Sequence, residues 1–183
     1  MNSWQQAAQL IFSAALFFCL LPLSYHDLTA RRLPNRLVAL VAVLGCLRCL
    51  LLLTGVTRGQ VLCQSMTKYL TPCHVVGQVA LGVAYAVGPA ALVAGAYWLL
   101  RRRSGLGMGD IKLLAALGLF FGPRAFWILP LASCLCVTSL PVLALWRKKK
   151  GRGYALSSSL PFGPYIAAGA VILLMAAPAL LTY

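Results

Sequence analysis

Apolar residues fill this chain in long runs, broken at intervals by short segments rich in Arg, Lys, Gly and Pro. A helix needs about 20 mostly apolar residues to cross the hydrocarbon core of a bilayer. Runs of that kind lie near 6–26, 36–54, 75–100, 124–146 and 160–182, with a shorter one at 110–122. Only Gly122-Pro123 separates the short run from the next. It is therefore either a short span or a helix that enters the membrane at a tilt. The pattern predicts an all-α, polytopic integral membrane protein of about six transmembrane helices. No linker, internal repeat or low-complexity tract divides it, so residues 1–183 read as a single domain.

Composition narrows the picture. Of the 183 residues 61% are hydrophobic and only 10% charged, against the roughly one quarter charged in soluble domains. Such apolar content also excludes a disordered chain. A nucleic-acid binder would account for the net charge of +14 but not for the apolar runs. The basic residues are better explained by topology. Segments after the first, third and fifth spans hold Arg31, Arg32, Arg36, Arg101, Arg102, Arg103, Lys112, Arg147, Lys148, Lys149, Lys150 and Arg152. The other side holds Arg58, Lys68 and Arg124, while Arg48 lies inside the second span. Twelve against three predicts that the first group faces the cytoplasm and that both termini are periplasmic. Against anionic headgroups each of these charges is worth about 1 kcal/mol. The N-terminus has no basic n-region and no small-residue cleavage site, so it reads as an anchor and not a removed signal peptide.

The seven cysteines carry little chemistry. Cys46 and Cys49 form a CxxC inside an apolar run, with no second pair and no His beside them, whereas a zinc site needs four ligands. They read as packing residues, and no metal is expected. Cys63 and Cys73 fall in the external loop 55–74, where an oxidising periplasm permits a disulfide.

The chain contains two acids, Asp27 and Asp110. Asp27 ends the first span in Ser24-Tyr25-His26-Asp27; Asp110 opens the fourth in Gly107-Met108-Gly109-Asp110-Ile111-Lys112. They are 83 positions apart, yet the topology brings both to one membrane face. Ionisable groups at such a depth are functional candidates, because burying their charge is costly. Two carboxylates that approach each other can share a proton and act as acid and base on a water molecule. Gly105, Gly107 and Gly109 would let an extended peptide lie against the backbone beside Asp110. Equally, these glycines form a plain loop, Asp110 caps its helix and Asp27 pairs with Arg31. A third segment, Leu160-Pro161-Phe162-Gly163-Pro164, opens the last span. It forms either one wall of a peptide cleft or a stiff helix start.

Together these segments resemble the type IV prepilin peptidases, the GxGD aspartic proteases of bacterial membranes. Asp27 followed by Arg31-Arg32-Leu33-Pro34-Asn35 is similar to the family's aspartate and Pro-Asn. Gly107-Met108-Gly109-Asp110-Ile111-Lys112 matches its GxGD-x-K segment, and Pro161-Phe162-Gly163-Pro164 its PFGP. The resemblance implies an endopeptidase of the bacterial inner membrane that cuts the basic leader from type IV prepilins or pseudopilins on the cytoplasmic side. Asp27 and Asp110 would be its catalytic pair, and Gly107, Gly109, Lys112, Pro161, Phe162, Gly163 and Pro164 its motif residues. Bifunctional members add a methyltransferase activity that uses S-adenosylmethionine, with a domain of paired CxxC motifs ahead of the core. Asp27 falls too early for that domain, and Cys46 and Cys49 do not replace it. The expectation is a short, peptidase-only form with no cofactor, acting on a prepilin within the lipid bilayer and not on nucleic acid.

Helix ends suggest roles for the two acids. The positive end of the fourth helix favours an ionised Asp110 as base, and the negative end of the first a protonated Asp27 as acid. Arg31 and Arg32 oppose the second assignment. Lys112 either offsets charge near the site, meets a substrate carboxylate or serves topology alone. Rival mechanisms lack parts: no HExxH occurs, His26 cannot share the helix face of its neighbour Asp27, and His74 is external. The alternatives of other classes are a small transporter that relays protons or cations through Asp27 and Asp110, and a non-catalytic assembly scaffold.

Overall fold

A computed structural model describes residues 3–30, 34–53, 72–102, 107–149 and 162–179. Six α-helices follow in order: α1 (Ser3–Ala30), α2 (Asn35–Leu53), α3 (Pro72–Arg101), α4 (Met108–Phe121), α5 (Ile128–Lys149) and α6 (Gly163–Ala179). A 3-10 segment, Gly122–Trp127, joins α4 to α5. Each helix overlies one of the apolar runs, and every regular element among the described residues is helical. The break at Gly122-Pro123 is thus longer than the sequence suggests. Gly122 takes φ +62°, which a side chain disfavours, and its N–H bonds Gly118 O to close α4. Helix α1 also runs further than the first apolar run, to Ala30, so Asp27 lies within its last turns.

The short helix α4 sits at the centre. It packs on α2 on one side and on α3 on the other, while α6 bridges α1 and α5. Leu113, Leu114 and Leu117 of α4 are fully buried and meet Leu16 and Leu23 of α1, Val41 of α2 and Ile166 of α6 in one core. The outer surface is apolar instead: Leu10, Phe18, Val43, Leu92, Leu99 and Met175 are all exposed. Charge buried inside and large apolar side chains outside is the arrangement a bilayer selects. Among the described residues, Leu10–Thr29, Val76–Leu100 and Met108–Pro141 are helical stretches long and apolar enough to cross a membrane. Gly163–Ala176 is apolar but shorter.

The crossing of α3 and α4 brings backbone against backbone. A Cβ on Gly82 would lie 2.5 Å from Gly122 C and 2.7 Å from Gly118 O, and one on Gly118 would lie 2.9 Å from Gly82 O. Small residues allow this approach where the solvent offers no hydrophobic driving force between helices. Gly88, on the same helix, has nothing within 4 Å of its Cβ position. Gly82→Ala is therefore expected to lower stability by about 1–3 kcal/mol through overpacking, whereas Gly88→Ala is not. Thermal unfolding of both variants in detergent checks this, and equal melting temperatures would contradict the close crossing.

Candidate active site

Both acids point inward, for a reason visible in the helical repeat. Leu16, Leu20, Leu23 and Asp27 recur at spacings of three and four along one face of α1, and all four are buried. Asp110, Leu113, Leu114, Leu117 and Phe121 do the same on α4. Asp27 is 6% exposed and Asp110 9%, and they are the buried charged side chains among the described residues. The apolar face of each helix thus carries its carboxylate into the bundle. The two groups interact electrostatically, so α1 and α4 bring them to one place.

Backbone donors meet both. Gly163 N–H donates to Asp27 Oδ2 at 3.0 Å, a bond that closes 136 positions of chain. Gly163 is the first residue of α6, where N–H groups have no partner within the helix. Its neighbours are already provided for: Pro164 has no N–H, and Tyr165 and Ile166 donate to Phe162 O at 3.1 and 3.2 Å. Asp27 therefore caps α6 from another helix. A Cβ on Gly163 would lie 2.6 Å from Asp27 Oδ2 and 3.0 Å from Cγ, so only glycine admits the carboxylate so closely. Asp110 reaches back along its own helix to the backbone N–H of Gly107. Gly107 is the N-cap residue, in extended conformation with φ −68° and ψ 139°. The capping role and the buried pair are consequently features of the same side chain.

This geometry changes the helix-end argument drawn from sequence. Asp110 does lie in the first turn of α4. Asp27 ends α1, but it also meets the N-terminus of α6. Both carboxylates face a positive helix end, so helix ends no longer tell acid from base.

The other motif residues divide. Gly107 and Gly163 touch the carboxylates. Gly109 is half-buried in the first turn of α4. Phe162 and Pro164 flank Gly163, and Phe162 packs against the core with its ring 6.4 Å from that of Tyr165. Lys112 is not brought to the pair. It is exposed on another face of α4, at a groove of about 470 Å³ shared with Asn35, Val38 and Ala115. His26 is exposed and lies edge-on to Tyr25. Arg31, Arg32, Pro161 and Cys63 lie outside the described residues, as does the expected bridge from Cys63 to Cys73. Cys46 and Cys49 are free thiols on α2, and no group of three or more His, Cys, Asp or Glu gathers among the described residues.

One supporting residue has no clear signal in the sequence. Tyr165 and Ser139 share a 2.6 Å hydrogen bond between their hydroxyls, which ties the start of α6 to α5. An aromatic residue two positions after Gly163 was the available hint. Because a Cβ at Gly163 would meet the carboxylate, Gly163→Ala should displace Asp27 and cost about 1–3 kcal/mol. In an Asp27→Ala background the same substitution should cost far less. Melting temperatures of the two single variants and the double variant measure that coupling, and additive losses would count against the contact.

Comparison with known proteins agrees with the resemblance. The sequence model of the type IV leader peptidase family matches residues 14–142, a stretch that contains Asp27 and Asp110 and stops before α6. A prepilin leader peptidase/N-methyltransferase of Burkholderia pseudomallei is 39% identical over 71 residues, which are 39% of this chain and 22% of that protein. The leader peptidase HopD of Escherichia coli is 36% identical over 95 residues, 50% of this chain and 57% of that protein. One from Xanthomonas campestris, also a prepilin leader peptidase/N-methyltransferase, is 38% identical over 74 residues, 39% of this chain and 24% of the relative. The chain thus spans between about a fifth and three fifths of these relatives' lengths. No solved structure matches. With the family model covering well over half of the chain, this protein belongs to the type IV leader peptidase family.

Proposed function

We propose that this protein is a membrane aspartic endopeptidase that removes the basic leader from type IV prepilins or pseudopilins at the cytoplasmic face of the inner membrane. The observation that carries the reading is the buried pair, Asp27 and Asp110, in electrostatic contact with a backbone N–H on each. Like charges held this close favour a state in which one carboxylate keeps a proton. The ionised one takes a proton from water as the water attacks the scissile carbonyl. The protonated one hydrogen-bonds the carbonyl oxygen and stabilises the tetrahedral intermediate. The proton gained by the first then passes to the departing amine. Gly107 N–H and Gly163 N–H hold the carboxylates in place through these steps, and neither donor has to move.

Membrane placement follows the charge pattern. Twelve basic residues flank the side of Asp27 and Asp110 against three on the other. A basic leader would be repelled by those clusters, so it has to be read by other means. The names of the Burkholderia and Xanthomonas relatives couple the peptidase to an N-methyltransferase, whereas HopD is named as a leader peptidase. Our proposal is cleavage alone, without S-adenosylmethionine, because Cys46 and Cys49 form a single CxxC within the apolar helix α2 and not the paired motif of the bifunctional members.

The test is to co-express the protein with a candidate prepilin and follow leader removal on a gel. The wild type is expected to shorten the prepilin, and Asp27→Asn and Asp110→Asn each to slow it by at least about 10²-fold. Undiminished processing by either variant would overturn the two-aspartate mechanism.

A further inference from the structure

The groove beside Lys112 lies apart from the two aspartates, and its walls are matching faces of two helices. Lys112, Ala115, Ala116 and Leu119 recur at spacings of three and four along α4 and form one wall. Four residues of α2, from Asn35 to Ala42, repeat that spacing and form the other, and Val83 of α3 joins them. Beyond Ala42 the two helices touch: a Cβ on Gly45 would lie 2.9 Å from Leu119 Cβ. The groove therefore has a closed end at Gly45 and Leu119, and a mouth at the first turns of α2 and α4.

Below the mouth the lining is apolar and mostly small, which leaves a space of about 470 Å³. From Lys112 to Leu119 the groove runs about 10 Å along the helix axis. The hydrocarbon of one leaflet is about 15 Å thick, so the groove spans much of it. A 10 Å length of α-helix, about 10 Å across, occupies roughly 800 Å³ and does not fit inside. An acyl chain, one methylene wide, does. Polar character is confined to the mouth, where Asn35 and Lys112 stand. Asn35 is the first residue of α2, and Lys112 lies four residues inside the apolar stretch Met108–Pro141, a depth from which a lysine reaches the headgroups. No acid lines the groove among the described residues. The two carboxylate side chains of the sequence, Asp27 and Asp110, are buried and bonded to Gly163 and Gly107. A lysine ammonium at that depth is matched by a phosphate.

We propose that this groove binds one anionic phospholipid, with an acyl chain between α2 and α4 and the phosphate on Lys112. The Asn35 amide supplies a second donor to the same headgroup. The bound lipid bridges the two helices at the end where they diverge, and so stabilises the central helix α4. This goes beyond the cleavage reaction and stands whether or not the peptidase reading holds.

The full chain in detergent is melted with phosphatidylglycerol and with diacylglycerol of the same acyl chains, and native mass spectrometry counts the lipid retained. Phosphatidylglycerol is expected to raise the melting temperature and to remain bound at one molecule per chain, and diacylglycerol to do neither. Lys112→Gln should weaken phosphatidylglycerol binding roughly tenfold, about one charge-assisted hydrogen bond, and Lys112→Arg should restore most of it. Ala39→Phe, at an exposed position of the α2 wall, should fill the groove and remove the lipid, with little change in lipid-free melting temperature. Arg102→Gln removes the same charge at an exposed position outside the groove lining and should leave binding unchanged. An equal response to the two lipids, or none to phosphatidylglycerol, would overturn the proposal. Equal weakening by Arg102→Gln and Lys112→Gln would do so too, because diffuse surface charge would then be the cause. Dimers without lipid would place a second copy of the chain in the groove instead. If Ala39→Phe does not fold, the two Lys112 variants and Arg102→Gln decide the matter.

Discussion

Two carboxylates buried within reach of each other, in a molecule that is otherwise apolar or basic, are the constraint around which this structure is arranged. A buried charge without partners costs several kcal/mol, and a second like charge beside it adds repulsion. The fold meets that demand with helix ends. The last turns of α1 and the first turns of α4 and α6 converge, so two N-terminal ends, each with unpaired N–H groups and partial positive charge, face the acids. Asp110 takes the N–H of Gly107 on its own helix, and Asp27 takes that of Gly163 on another. Helix α6 is in turn held to α5 by Tyr165 and Ser139. Loss of the contact at Gly163 would leave a donor and a carboxylate unpartnered together.

Much of this was legible in the sequence, and the parts that were not share a cause. The six helices follow from apolar runs, because a bilayer demands length and hydropathy and little else. The inward direction of Asp27 follows from its register with Leu16, Leu20 and Leu23. What spacing could not convey is contact between distant segments. The Pro161–Pro164 segment reads as a cleft wall or a stiff helix start until Asp27 is found against the N–H of its glycine. Gly82 and Gly118 look like ordinary helix glycines until α3 and α4 cross on them. Lys112 had three readings open in the sequence; two residues along a helix from Asp110 it points elsewhere and lines the α2–α4 groove.

The distribution of charge separates two physical roles. Basic residues at chain segments between helices orient the molecule and meet headgroups. Arg48 departs from that rule, because it lies within a helix and caps the carbonyl end of α4. Helix α4 is therefore fixed at both termini, by a carboxylate at its start and a guanidinium at its end, each at the pole of the dipole that attracts it. A helix of 14 residues at the centre of the bundle can in this way hold Asp110 in register without the length of a full span.

Asp27 and Asp110 are held together at a cost to stability, which the melting temperature of Asp110→Asn measures. The amide keeps an oxygen for Gly107 N–H and removes the like charge facing Asp27. At pH 8 the variant should melt above the wild type, with the gain shrinking by pH 5 as protons neutralise the native pair. A melting temperature at or below that of the wild type at pH 8 would mean that the two carboxylates do not oppose each other.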